Sequence, residues 1–281
     1  MEPHDIPHGQ TLVDDVNDCR VGLGQFGLWW LGQQSFILKL GQAVLYLDPF
    51  LTELPERRVP PLLTAAEIRN ATLVLGSHDH LDHIDRAQWP GIAAASPGAR
   101  FVVPELLREG LARDLGLPAG RLLGVDAGSS VEHAGVRVTG VAAAHEFLDR
   151  DAATGRYPYL CYVIEGNGCT LLHAGDTCVY EGLLTTLRAW RFDAVMLPIN
   201  GRDGRRLRAN CLGNMTYQEA ADLAGALTPG LTIPAHYDMF AFNSADVNDF
   251  VDYMAVKYPH RPTRVLRYGQ RSVGRNSTSS H

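Results

Sequence analysis

Between His78 and His83 the chain sets three imidazoles and two carboxylates in six consecutive positions, His78-Asp79-His80-Leu81-Asp82-His83. Neutral imidazole nitrogens and ionised carboxylate oxygens are donors that suit a divalent cation. A cluster this dense is costly to bury without such a partner. His78 and His80 stand two apart, so on an extended loop they project to the same side and can grip one ion. Asp82 and His83 lie beyond the turn, where they can face a second ion. The competing reading, a solvated polar loop, leaves unused the ligand-type residues that recur further along the chain.

The elements around the cluster must place it. Ala71-Thr72-Leu73-Val74-Leu75-Gly76 is apolar and stops at glycine, which predicts a short buried strand with the cluster in the loop at its C-terminal end. That is where open α/β sheets put their chemistry. Val136–Val141 alternates as a strand and delivers His145; Cys169–His173 leads to Asp176; Ala194–Ile199 opens onto Asn200; Leu231–Ala235 ends at His236. Ser35–Leu40 and Ala43–Leu47 flank Gly41-Gln42 as a hairpin, and the second ends at Asp48. Thr64–Glu67 and Thr216–Glu219 read as capping boxes, Pro104–Leu115 as a helix with Pro at its start, and Ser244 as the cap of a helix to Lys257. Leu51–Leu63 carries three prolines and reads as a loop, a candidate lid. Residues 1–20 are polar and poorly periodic, an extension that wraps the surface or meets a neighbouring subunit. The Ser-rich tail, residues 271–281, reads as flexible.

His78-x-His80-x-Asp82-His83, followed by Ala144-His145-Glu146, His173-Ala174-Gly175-Asp176-Thr177 and Pro234-Ala235-His236-Tyr237, resembles the metallo-β-lactamase superfamily in type and order. Leu197–Asp203, Gly213-Asn214-Met215 and Ile233–Phe240 make the chain similar to the UlaG-like branch, named for L-ascorbate-6-phosphate lactonase. The similarity spans about Trp30 to Phe242. It implies an α/β four-layer αββα sandwich formed by one domain over 1–281, with two similar halves. It also implies a site of two divalent ions, zinc, manganese or iron: His78, His80 and His145 around one, Asp82, His83 and His236 around the other, and Asp176 between them.

Other residues are placed with less specificity. Asp48 is either a carboxylate hydrogen-bonded to a ligand or an Asp-Pro turn, and the resemblance favours the first. His173 reads as a histidine that supports a ligand or the fold and does not bind metal itself. Asp79 alternates away from His78 and His80, so it either donates a proton to the leaving group or orients a ligand. Four arginines fall within Arg202–Arg208. Arg202, with Asn200 and Asn214 near it, is the expected contact to an anionic substrate group, while Arg205 and Arg206 read as solvated.

The remainder sets bounds. At 281 residues, 46% hydrophobic and 20% charged, the chain can bury a large core. A net charge of −6 argues against a nucleic-acid surface. No apolar run reaches the length of a membrane span. Met1-Glu2-Pro3-His4-Asp5 lacks the basic head and apolar core of a leader. Five cysteines without a C-x-x-C pair predict no disulfide framework and a reducing, cytoplasmic setting; Cys178 reads as a small buried hydrophobe. No G-x-S-x-G or similar nucleophile motif occurs. The reading is a metal-dependent hydrolase in which cation-activated water attacks the substrate. A phosphorylated sugar or sugar-acid lactone is the first substrate class and a phosphodiester the alternative. A redox role for the metals and a non-catalytic metal-binding protein are the competing functions, and a homo-oligomer is open.

Overall fold

Thirteen strands among the described residues build two mixed sheets that face each other. The structure, a computed structural model, describes residues 6–276. The first sheet runs in the order β13-β1-β2-β3-β4-β5-β6, with β1 Gln25–Gly32, β2 Ser35–Leu40, β3 Ala43–Leu47, β4 Leu73–Leu75, β5 Arg100–Pro104, β6 Leu122–Val125 and β13 Ser272–Arg275. Strands β1 to β3 form an antiparallel meander, and β3 to β6 continue in parallel. The second runs β12-β11-β10-β9-β8-β7, with β7 Ser130–His133, β8 Val136–Ala142, β9 Leu160–Gly166, β10 Cys169–His173, β11 Ala194–Pro198 and β12 Thr232–Ala235. It repeats the plan, antiparallel through β10 and then parallel. Helices cover the outer faces: α2 Trp89–Ala95 and α3 Arg108–Asp114 on one side, and α4 Leu183–Leu187, α6 Tyr217–Leu227 and α7 Val247–Lys257 on the other, with the short α5 Gly204–Arg208 in the loop after β11. This is the αββα sandwich.

The central strands read as near-continuous apolar runs because they are covered on both faces. Every residue of β2, β3 and β11 is buried, and buried side chains of both sheets join in one apolar cluster. Polar contacts also cross between the sheets: the Tyr162 hydroxyl donates to Gly76 O at 2.8 Å, and Leu160 N donates to Ser77 O at 3.1 Å. The second of these joins β9 to the loop that carries the histidine cluster. Gly41 takes the left-handed conformation (φ +59°) that the tight β2–β3 turn needs.

Four expectations change. Residues 9–18 are an amphipathic helix, α1 (Gly9–Asp18), that buries Leu12, Val13 and Val16; the polar residues between them hid the helical spacing. Lys39 on β2 donates to Val16 O at 2.6 Å and Asn17 O at 2.9 Å, capping its C-terminus from inside the fold. Residues 272–275 are the edge strand β13, paired antiparallel with β1; 1–5 and 277–281 lie outside the described residues. Pro104 ends β5, and the helix after it starts only at Arg108. Asp246, not Ser244, caps α7. Thr64 and Thr216 do form capping boxes. No helix among the described residues is long and apolar enough to cross a membrane.

Candidate metal centre

The cluster leaves β4, and the other histidine and aspartate candidates leave β3, β8, β10 and β12, all from the C-terminal ends of their strands. The sandwich thereby gathers at one rim residues up to 188 positions apart, Asp48 and His236. His78 Nε2 and His145 Nε2 lie 3.0 and 3.3 Å from His80 Nδ1. His83 Nε2 lies 3.6 Å from Asp82 Oδ2 and 3.3 Å from Asp176 Oδ1. His236 Nε2 is 3.2 Å from Asp176 Oδ2 and 3.6 Å from Asp82 Oδ2, and His145 Nε2 is 3.6 Å from Asp176 Oδ2. Three triplets have potential ligand atoms within 4.8 Å of one another: His78, His80, His145; His78, His83, Asp176; and Asp82, His83, His236. Asp176 reaches towards both outer triplets.

The second ring nitrogen of several imidazoles is already engaged, which selects the tautomer that leaves the other free. Asp48, fully buried, accepts His83 Nδ1–H at 2.6 Å and His173 Nε2–H at 2.9 Å, and from Ser77 N and Oγ at 2.7 Å each. Its left-handed backbone (φ +43°) is uncommon for a non-glycine residue, and this network holds it. His145 Nδ1 lies 3.2 Å from Gly213 O, and His78 Nδ1 lies 3.0 Å from Ser77 Oγ. His236 also has positive φ (+57°); its N–H donates to Gln33 O. Gly175 leaves no room for a side chain, since a Cβ there would stand 2.9 Å from that of Ser77.

Burial and the neighbouring charges divide the site electrostatically. Burial, with the charge on His83, pushes His78 well below the usual histidine range; burial likewise lowers His80 and His145. Burial opposes charge on His83 and His236 too, but there the carboxylates, Asp176 first, prevail. They hold His83 well above its ordinary value and His236 at about 9. Asp48 is held at about 2, because His173 and His83 outweigh its burial. Asp82 and Asp176 are held low in the same way, Asp82 chiefly by His83 and Asp176 chiefly by His236.

Sequence and structure comparisons agree with this architecture. A family profile described as "Beta-lactamase superfamily domain" matches residues 44–237. The chain belongs to that family. A UPF0173 metal-dependent hydrolase of Sulfurisphaera tokodaii is 28% identical over 225 residues, 80% of this chain and 89% of the relative. The metallo hydrolase Igni18 of Ignicoccus hospitalis superposes with a TM-score of 0.70 at 21% identity, over 89% of this chain and 98% of that one. The diiron β-hydroxylase CmlA of Streptomyces venezuelae shares the fold (TM-score 0.65, 15% identity, 89% of this chain and 54% of that one). The shared fold therefore does not by itself select hydrolysis.

Other expected residues stand elsewhere. Asp79 is gripped at both carboxylate oxygens by Arg86 and is not among the residues lining the cavity above the cluster. Its alternation away from His78 and His80 carries it to the surface, where the guanidinium takes it. Arg202 forms a fork with Glu219, at 2.6 and 2.8 Å, and also donates to Asn214 O, so its donors face α6 and not the cavity. Asn200 and Asn214 are buried in an amide chain, Asn214 Nδ2 to Asn200 Oδ1 and Asn200 Nδ2 to Asn243 Oδ1, and only Asn243 lines the cavity. Arg206 is not solvated. Its guanidinium donates to the carbonyls of Asn200, Phe242 and Ser244, tying the loop after β11 to the loop after β12. Cys178 is buried.

Four contributors went unread. Gln33, in the β1–β2 turn, donates from Nε2 to Asp82 Oδ2 at 3.1 Å. Ser77 stands in the Asp48 network, and Cys211 lines the cavity. Asp85, fully buried two residues after His83, accepts from Leu51 N, Thr52 N and Thr52 Oγ1 and fastens the 51–63 loop to the cluster. Of these, only Ser77 and Asp85 carried a sequence signal, their closeness to the histidines. Gln33 and Cys211 reach the site solely through tertiary folding.

Proposed function

We propose that this chain is a metal-dependent hydrolase of a small-molecule substrate. The observation that carries the reading is a set of buried ligand-type atoms with no hydrogen-bond partner, His83 Nε2, His236 Nε2 and Asp176 Oδ1, converging at one rim of the sandwich. Orphaned buried polar atoms are costly, and a divalent ion is the partner their chemistry fits. His78, His80 and His145 would hold one ion, Asp82, His83 and His236 a second, with Asp176 shared. Bound there, the ions supply Lewis acidity and make water more acidic. The chain's own part is to fix donors and shape the approach. Asp48 orients His83, Gly213 O orients His145, and Gln33 steadies Asp82, which lines the cavity.

The names of relatives such as the Sulfurisphaera protein support hydrolysis over an oxidative role. Within hydrolases we place lactones and related carboxylic esters ahead of phosphodiesters. Among the described residues no arginine or lysine lines the cavity, so neither a phosphorylated sugar nor a diester finds the cation that Arg202 was expected to supply. A cytoplasmic catalyst of small molecules, without nucleic-acid or membrane partners, belongs to the same proposal. The test is elemental analysis of protein purified without chelator, followed by turnover assays on a lactone panel and on bis(4-nitrophenyl) phosphate. Bound metal with lactone turnover is the expected result. Diester turnover with inert lactones selects the alternative, and a protein that takes up no metal sinks the proposal.

A further inference from the structure

The cavity above the cluster is about 420 Å³, the size of a small-molecule site. Its floor is polar, made by His80, Asp82, His145, Asp176 and His236. Its walls differ in kind. Phe50, Leu54, Phe240 and Phe242 come from the loops after β3 and β12, and Leu81 and Leu212 also line it. Phe50, Met239 and Phe240, with Leu54 against them, form an apolar cluster separate from the main core. Phe240 stacks on Phe242 at 5.3 Å between ring centroids, yet Phe242 remains 58% exposed and Leu81 48% exposed at the mouth. Both loops are anchored: Arg57 donates to Phe50 O, Thr52 O and Val59 O, and Arg206 donates to Phe242 O. Phe50 and Phe240 are buried within their own cluster and back the wall, so its free apolar surface is Phe242 and Leu81. Large exposed apolar side chains lining a concave site are what a ligand's apolar group would cover.

Resting on the hydrolase reading, we infer that the substrate is an uncharged ester or lactone carrying an aromatic or branched alkyl group. The apolar group packs against Phe50, Phe240 and Phe242 while the carbonyl faces the histidine–aspartate floor. The nearby arginines are not among the lining residues: Arg57 lies over the Phe50 ring and donates from Nε and Nη1 to backbone carbonyls, Arg202 pairs with Glu219, Arg206 binds backbone carbonyls and Arg58 pairs with Asp238. An anionic tail therefore finds no arginine or lysine among the described lining residues, and burying its charge uncompensated is costly.

Two measurements on metal-loaded full-length protein test this. In calorimetry, 4-phenylbutan-2-one, a neutral ketone that cannot be hydrolysed, should bind, and glucose 6-phosphate should bind at least tenfold more weakly. Phe242→Ala should weaken ketone binding about tenfold, the range that one lost apolar contact gives, and Phe242→Leu should restore part of it. Truncation at this exposed position spares the core, and the Leu variant checks that a fold defect is not being read. In kinetics, the ratio of kcat/KM for 4-nitrophenyl phenylacetate to that for 4-nitrophenyl acetate should be well above one and should fall in Phe242→Ala. Equal ketone affinity in wild type and Phe242→Ala, or tighter binding of the sugar phosphate, overturns the inference. Equal turnover of the two esters also overturns it while leaving the hydrolase reading intact. Ketone binding lost in Phe242→Ala, with no ester, lactone or diester turned over, upholds apolar recognition and sinks the hydrolase reading instead.

Discussion

Asp176 is the residue on which the two proposed metal positions depend together. Its two oxygens face His83 on one side and His145 and His236 on the other, so one substitution reaches both. Asp176→Ala should lower the bound metal at both positions, whereas His145→Ala should lower it at one only. Elemental analysis that gives the two variants the same content speaks against a shared carboxylate. The same charges make the metal-free protein sensitive to pH. His236 is held up at about 9 in the fold, above an unfolded value of about 6.5. A raised histidine contributes stability that is complete below the unfolded value and lost as pH rises through the folded one. Chelated protein should therefore lose melting temperature between about pH 6.5 and 9. Metal-loaded protein should lose less, because the ion replaces those protons and binds more tightly as they leave. A melting temperature that rises over that interval in chelated protein contradicts the assignment.

The loops that wall the cavity are fastened by polar side chains inserted from neighbouring segments. Asp85 pins residues 51 and 52, and Arg206 bridges the loops after β11 and β12. Arg206→Met removes the donor from several carbonyls at once. It should cost about 1–3 kcal/mol in denaturant unfolding, as expected where buried acceptors are left unpaired. Substrate KM should rise while metal content holds, because the acidic partner of Arg206 is Asp203, which is outside the proposed ligand set. Arg202→Ala gives the contrast. Its pair with Glu219 is about one-third exposed on each side, so screening and side-chain entropy limit the loss to about 1 kcal/mol. Equal destabilisation in the two variants would show that the strap across the cavity loops is not what Arg206 provides.

The molecule closes on itself through its two ends. Helix α1 buries Leu12, Val13 and Val16 against the first sheet, and β13 completes that sheet's edge beside β1. Deleting residues 1–18 should cost several kcal/mol, at about 1.5–3 kcal/mol for each buried aliphatic side chain. It would also leave Lys39, 5% exposed, without its two carbonyl acceptors. Adding Lys39→Met to the truncated chain should recover part of the melting temperature, since a thioether needs no acceptor. A truncated chain as stable as the full one would make α1 an appendage and not part of the core.

The sequence by itself determined the elements whose signal is local. The apolar run ending at Gly76 fixed the strand before the cluster, the Thr64 and Thr216 boxes fixed two helix starts, and Gly41-Gln42 fixed a hairpin. The order of histidines and aspartates at strand ends carried the fold, because a buried parallel strand can deliver a polar residue only where it leaves the sheet. Helix α1 and strand β13 escaped notice because their few apolar positions are diluted by polar ones, and burial against distant strands decides their structure. The partners of flexible charged side chains were also beyond reach. Asp79 and Arg202 each had a chemically sound role near the site, yet the fold set Arg86 and Glu219 closer. Long-range packing alone turned three phenylalanines and a leucine, Phe50, Phe240, Phe242 and Leu54, from separate loops into one wall above the candidate metal centre. No spacing in the chain encodes that wall, because its two halves are brought together only by the sandwich.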